Sequence, residues 1–169
     1  MVMMVRGLLL PSFYCLKFSR SEGIFPYINA VIDTSIIFDF LKYCLGAKGD
    51  MSRVVAAMDW RLLYEFASKQ TMLGVCFDGI ERLGKEYSEE LKKNPIERDL
   101  LITWMGKAQQ IRRQNRKVNL VASKLFSMLR EDGLRCCILK GQGNALMYLN
   151  AYSRNPGDID VWVNASRDR

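Results

Sequence analysis

The chain has 169 residues, of which 49% are hydrophobic and 25% are charged, and its formal net charge is +7. This composition is typical of a globular protein of one domain, or of one domain and part of a second, and excludes a disordered or fibrous chain. Histidine is absent, which excludes imidazole catalysis and zinc sites built on histidine. The five cysteines have no Cys-x-x-Cys spacing, so we interpret them as reduced thiols of a cytoplasmic protein.

Residues 1–34 are predicted to be an N-terminal extension without a defined structure. Arg6 interrupts the first apolar run and Pro11 ends the second, so neither run has the length that a bilayer crossing needs. We therefore predict no transmembrane segment.

Residues 35–132 are predicted to form a helical region. Apolar residues recur every three or four positions, which predicts helices over 36–45, 51–67 and 71–83 and a long helix from 96 to about 130. The residues between 85 and 94 are predicted to be a charged connection, with or without a helical turn.

The long helix has an apolar stripe and a basic face. The basic face either is solvated or contacts a triphosphate or a nucleic acid. The stripe consists of Trp104, Ala108, Ile111, Val118, Ala122, Leu125 and Leu129, and the basic face of Lys107, Arg112, Arg113, Arg116 and Lys117.

Residues 133–169 contain two recognisable strands, at 136–139 and 158–163. One or two helical turns are predicted at 144–149, and Asn155-Pro156-Gly157 predicts a turn before the second strand. The predicted fold class is therefore α+β and mostly helical, with the long helix leading into the first strands of a sheet.

Asp158 and Asp160 are expected on one face of the second strand, because side chains alternate along a strand. Two adjacent carboxylates are typical of an exposed strand or of a site for a hard divalent cation, Mg²⁺ or alternatively Mn²⁺. Lys140 and Gly141, at the end of the preceding strand, would offer a cation and backbone N–H groups to phosphate.

The order of these motifs resembles a known family. The motifs are, in order, Leu139-Lys140-Gly141, Tyr148, Tyr152, Arg154 and Gly157-Asp158-Ile159-Asp160-Val161. They are similar to the signature of a bacterial family of uncharacterised nucleotidyltransferases. That family belongs to the DNA polymerase beta superfamily. The resemblance extends upstream to about Phe38, and it departs from the family where Ser153 follows the tyrosine in place of proline.

The resemblance implies a nucleotidyltransferase-like domain over 133–169 and Mg²⁺-dependent transfer of a nucleoside monophosphate from an NTP to a hydroxyl acceptor. Asp158 and Asp160 would be the catalytic metal ligands. The residues that would bind the nucleotide are Lys140, Gly141, Gln142 and Arg154.

Two features limit this implied function. Arg154 could instead form an ion pair with Asp158. No third carboxylate can be assigned, because Asp168 is too far along the strand from Asp160 to share its site. We therefore expect an incomplete fragment that is inactive alone.

Two alternatives come from other functional classes. The chain could be a catalytically inactive, antitoxin-like binding module that retains the nucleotidyltransferase fold. It could also be a basic helical protein that binds nucleic acid through the basic face of the long helix.

Overall fold

The structure is a computed structural model that describes residues 2–5 and 34–164. Most of the predicted extension 1–34, and Asp168, therefore lie outside the described residues. Side chains are described from residue 35 onward.

Seven helices and three strands are present in the described residues. In chain order they are β1 (Val2–Val5), α1 (Thr34–Cys44), α2 (Ser52–Ala57), α3 (Trp60–Lys69), α4 (Leu73–Glu86), α5 (Ser88–Lys93), α6 (Arg98–Glu131), β2 (Arg135–Leu139), α7 (Lys140–Ala145) and β3 (Ile159–Asn164).

The predicted helix over 51–67 is wrong in one respect, because the chain forms two helices there. The break falls at Met58 and Asp59, and the Asp59 carboxylate caps α3 by accepting a hydrogen bond from the Leu62 N–H at 2.9 Å. An aspartate at this position satisfies an N–H that has no partner within the helix, so a new helix starts where the periodicity alone suggests continuation. The charged connection predicted at 85–94 contains α5, so it includes the helical turn that the sequence left open.

The helical core lies between α1, α2, α3, α4 and the first half of α6. The apolar stripe predicted for the long helix is confirmed at its buried positions Trp104, Ala108, Ile111 and Ala122. The Trp104 indole also donates a hydrogen bond to the Leu73 carbonyl at 2.8 Å, which joins α6 to the start of α4.

The sheet has the strand order β1-β3-β2, and both pairings are antiparallel. Leu139 pairs with Asp160 on one side of β3, and Met4 pairs with the same residue on the other. Because α6 packs against β2, the sheet is attached to the helical part of the chain. The predicted α+β, mostly helical fold is confirmed, whereas the predicted domain boundaries remain predictions.

Candidate functional site

The β2–β3 pairing places the predicted site residues together at one end of the sheet. Lys140 follows the residue that pairs with Asp160. Gly141 is buried, and a Cβ atom on it would lie 3.2 Å from the Asp158 carbonyl oxygen and 3.6 Å from Arg154 Nη1. The corner formed by Lys140 and Gly141 is therefore in contact with the loop that carries Arg154 and Asp158.

Lys140 makes the turn between β2 and α7. Its φ angle is +43°, a left-handed backbone conformation that residues other than glycine rarely adopt. The chain consequently enters α7 directly at Lys140, and the prediction that helical turns begin only at residue 144 is wrong. Such strain is found mostly where the surrounding structure imposes it, often at functional sites.

Asp160 lies on the central strand of the sheet. The alternation predicted for β3 is observed, since Val161 and Val163 are buried while Trp162 is exposed. Asp160 shares a face with Trp162 by this alternation, yet the residue as a whole is only 9% exposed, against 39% for Trp162. Asp158, directly before the strand, is exposed.

Neither carboxylate has a protein partner within the described residues. No hydrogen bond or ion pair to Asp158 or Asp160 is formed by any side chain or backbone N–H of residues 34–164. Asp160 is largely covered as a residue, but its carboxylate oxygens are not enclosed, because Gln142 Oε1 is the only buried side-chain polar atom without a partner among the described residues. The accessible oxygens of Asp160, beside those of Asp158, fit a divalent cation that prefers oxygen ligands.

Arg154 does not form the ion pair with Asp158 that the sequence left open. Its Nη1 donates instead to the Asn155 carbonyl at 3.1 Å, and no Arg154–Asp158 pair occurs among the described residues. Its guanidinium is held beside Gly141 with donors still available, an arrangement that suits phosphate oxygens.

A family model for uncharacterised nucleotidyltransferases matches residues 56–168. The chain belongs to this family of uncharacterised nucleotidyltransferases. The matched range includes the Lys140–Gly141 corner and both aspartates, so the predicted general class, nucleotidyltransferase-like, is confirmed. Neither the comparison with curated proteins nor the comparison with solved structures finds a match.

In this member of the family, α6 positions the loop before the aspartates through a residue that the sequence analysis missed. Asn115 is fully buried, and its Nδ2 donates to the carbonyl oxygens of Tyr152 at 2.7 Å and Arg154 at 2.6 Å. The available signal was a polar residue inside the apolar stripe of α6.

Gln142 is attached to the same helix. Its Nε2 donates to Oδ1 of Asn119 and, at 3.5 Å, to Oδ1 of Asn115. Its Oε1 is buried and accepts no hydrogen bond from the described residues. The structure thus brings Gln142 next to the corner, although its contacts are with α6.

Ser153, the residue that departs from the family pattern, is the centre of a buried network. Its hydroxyl donates to Asp78 Oδ1 at 2.8 Å and accepts from Arg112 Nε at 3.3 Å. The Arg112 guanidinium also pairs with the carboxylates of Asp78 and Glu81. Burial opposes the charge of Arg112, but these hydrogen bonds outweigh it and place the pKa of the guanidinium above its ordinary value.

This network corrects part of the predicted basic face. Arg112 is only 12% exposed and is already paired, so it is not available to a polyanion. The other members of the predicted face are exposed, and Arg116 lies 5.6 Å from the centroid of the Tyr152 ring. The exposed members are Lys107, Arg113, Arg116 and Lys117.

The described part of the chain has neither a membrane-spanning helix nor a larger cluster of metal-binding side chains. No helix there combines the length and hydropathy needed to cross a membrane. No group of three or more histidine, cysteine or acidic side chains is placed to hold a metal ion, so the pair at Asp158 and Asp160 has no third acidic neighbour among these residues.

Proposed function

We propose that the chain carries the metal-binding and triphosphate-binding part of a cytoplasmic nucleotidyltransferase of the DNA polymerase beta superfamily. In the proposed reaction an acceptor hydroxyl oxygen bonds to the α-phosphorus of an NTP. The bond from that phosphorus to the bridging oxygen breaks, pyrophosphate leaves, and the acceptor proton passes to water. Family membership supports the reaction class.

Asp158 and Asp160 are the proposed ligands of Mg²⁺, with Mn²⁺ as the alternative ion. When bound, such an ion neutralises charge on the triphosphate and orients it. Asp160 is the more constrained ligand because it lies in the central strand, whereas Asp158 precedes the strand and can adjust.

Lys140, Gly141 and Arg154 are proposed to bind the triphosphate. Gly141 allows the Asp158 backbone to approach the corner, since a side chain there would press on the Asp158 carbonyl at 3.2 Å. Arg154 presents a guanidinium at the same place, and Lys140 adds an exposed ammonium group. Gln142 is proposed to contact the nucleotide from its position beside the corner.

The single observation that carries this proposal is that the carboxylate oxygens of Asp160, a residue only 9% exposed, have no donor among the described residues and are not enclosed, next to the corner that holds Lys140 and Gly141. A carboxylate that is fixed by a strand and still open to a ligand is suited to a divalent cation. The unpaired oxygens and the adjacent cations together match the charge distribution of a metal–triphosphate complex.

Isothermal titration with a non-hydrolysable NTP and Mg²⁺ or Mn²⁺ tests the site. Asp160→Asn should weaken metal-dependent NTP binding about thirtyfold or more, because losing one partner of a buried charge pair costs about 2–5 kcal/mol. Asp99→Asn is the matched control, since it removes the same charge from an exposed site in the first turn of α6. If no NTP binds with either metal, or if both variants lose affinity equally, the proposal fails.

Lys140 permits a second test that separates strain from charge. Lys140→Gly should stabilise the fold by about 1 kcal/mol, because glycine adopts a positive φ without the steric cost. The same change should weaken triphosphate binding. Lys140→Gln should weaken binding without stabilising the fold, and urea unfolding beside the titration measures both effects.

Transfer from an α-labelled NTP distinguishes the enzyme from the inactive alternative. Metal-dependent NTP binding without transfer is expected both of an incomplete enzyme and of the catalytically inactive, antitoxin-like module, so only detectable transfer separates the two. Pyrophosphate release that is lost in Asp160→Asn would support the enzyme.

A further inference from the structure

The central part of α6 contains basic residues but no acidic residue. Residues 100–130 contain seven lysines and arginines and no acidic residue. Ordinary surface helices alternate the sign of their charges, because opposite charges three or four positions apart stabilise the helix and like charges oppose it. A helix without acidic residues therefore lacks the stabilisation that such ion pairs provide. Its basic surface suits a polyanion, which supplies the missing negative charge.

These cations form an exposed ridge, which we define as Arg113, Arg116, Lys117 and Lys124. All four side chains are exposed, and none has an ion-pair partner among the residues that the structure describes. From Arg113 to Lys124 the ridge is about 17 Å long at 1.5 Å per residue. One strand of a duplex has a phosphate about every 3.4 Å along the helix axis, and an extended single strand spaces its phosphates farther apart, so the ridge spans at most about five phosphates.

The ridge leads to the candidate site through Tyr152. The Tyr152 ring is 40% exposed, and the Arg116 guanidinium lies 5.6 Å from its centroid. Asn115, one residue before Arg116, holds the carbonyl oxygens of Tyr152 and Arg154. An exposed aromatic ring beside a line of cations is the arrangement with which proteins bind single strands, because bases stack on the ring while cations follow the phosphates.

We propose that the ridge and Tyr152 bind a single-stranded nucleic acid, and that this strand is the hydroxyl acceptor of the proposed reaction. The inference rests on the proposed function, since it names the acceptor of the same site. The strand runs along α6, stacks a base near its end on Tyr152, and directs its terminal hydroxyl towards Asp158 and Asp160.

An anionic membrane is the competing partner for the same cations, because a helix that lies on a membrane inserts an apolar face into the lipid. The main apolar stripe of α6 is buried against the rest of the protein, whereas Leu120, Val121 and Met128 are exposed on the side of the helix that carries the ridge. The exposed Tyr152 ring beside Arg116 is the feature that favours a nucleic acid, and the vesicle measurement below decides between the two partners.

Fluorescence anisotropy with labelled single-stranded RNA and DNA of about 12 nucleotides tests the inference on the full chain. Arg113→Gln/Lys117→Gln should weaken binding about 25-fold at 0.1 M salt and flatten the plot of log K against log salt by about 1.4. Lys85→Gln/Lys93→Gln is the matched control, because it removes two exposed cations from α4 and α5. Tyr152→Leu should weaken binding about tenfold through the lost stacking.

Measuring RNA and DNA separately shows which of the two is bound more tightly. Binding of either one that is weakened more by Arg113→Gln/Lys117→Gln than by the control supports the inference. Equal losses in the two double variants would overturn it, since bulk charge would then explain binding. Binding to phosphatidylserine vesicles without oligonucleotide binding would also overturn it. If metal-dependent NTP binding persists while neither oligonucleotide binds at low salt, the inference fails and the proposed function stands.

Discussion

Replacing Gly74 with alanine tests how tightly the helical part of the chain holds the loop before Asp158. Gly74 lies in the first turn of α4, where the backbone of Ser153 crosses it. A Cβ atom at this position would meet the Ser153 carbonyl oxygen at 2.3 Å. Glycine is therefore required here for a close backbone approach rather than for its conformational freedom.

The cost of the substitution follows from the contacts of the loop. The Ser153 carbonyl would have to retreat by roughly 0.7 Å to reach 3.0 Å, the shortest approach that Cβ atoms show. Movement is resisted because the Ser153 hydroxyl is bound to Asp78 and because Asn115 holds the carbonyl groups on either side. Overpacking of this kind costs about 1–3 kcal/mol, which corresponds to about 3–9 °C in Tm for a chain of this size.

Thermal unfolding and titration with a metal–NTP complex measure the two consequences. Gly74→Ala should lower Tm and weaken NTP binding, because displacement of Ser153 moves the neighbouring Arg154 away from Gly141. Gly84→Ala is the matched control in the same helix, where a Cβ atom would meet nothing within 4 Å. It should stabilise the protein by up to about 1 kcal/mol through helix propensity.

An unchanged Tm and unchanged NTP affinity in Gly74→Ala would refute the reasoning, because the close approach of Ser153 would then not exist in solution. A drop in Tm with full NTP affinity would show that the loop yields without moving Arg154. That result would separate the packing of the helices from the geometry of the candidate site.

Two further predictions concern buried polar groups. Arg112→Gln should cost about 2–3 kcal/mol in urea unfolding, because Asp78 then loses its cationic partner in a setting where the two side chains are 12% and 17% exposed; a cost below about 0.5 kcal/mol would contradict this. Burial, followed by the hydrogen bond to Glu86, raises the pKa of Tyr43 to about 12. The folded protein keeps this phenol neutral. Its contribution to the free energy of unfolding is therefore fully present below pH 10 and is lost as the pH rises from 10 to 12. Tyr43→Phe should therefore lose less stability than the wild type over that interval.

The elements with strong local signals were predictable. The long helix was predicted because its apolar stripe repeats at helical spacing over 26 residues, from Trp104 to Leu129. The strands followed from short apolar runs between turn residues, and β3 shows the alternation expected at Val161, Trp162 and Val163. The proximity of Lys140 to Asp160 could also be anticipated, because strand pairing joins segments that are near in sequence.

Contacts between distant segments could not be predicted. Arg112 had the appearance of a solvated residue on a basic face, and only the packing of α4 against α6 shows that Asp78 and Glu81 neutralise it. Asn115 interrupted an apolar stripe without a visible reason until the loop carbonyl groups that it binds were in place. Strand β1, within the predicted extension, pairs with β3 from the opposite end of the chain.

The sequence by itself determined most of the secondary structure and the motif of Lys140, Gly141, Asp158 and Asp160, because periodicity and turn chemistry act over a few residues. Only the tertiary structure decided that the Asp160 oxygens have no donor in the described part of the chain and that Ser153 joins the helices to the site. Burial and pairing depend on which surfaces meet, and the residues that meet at Ser153 are 41 and 75 positions apart in the chain.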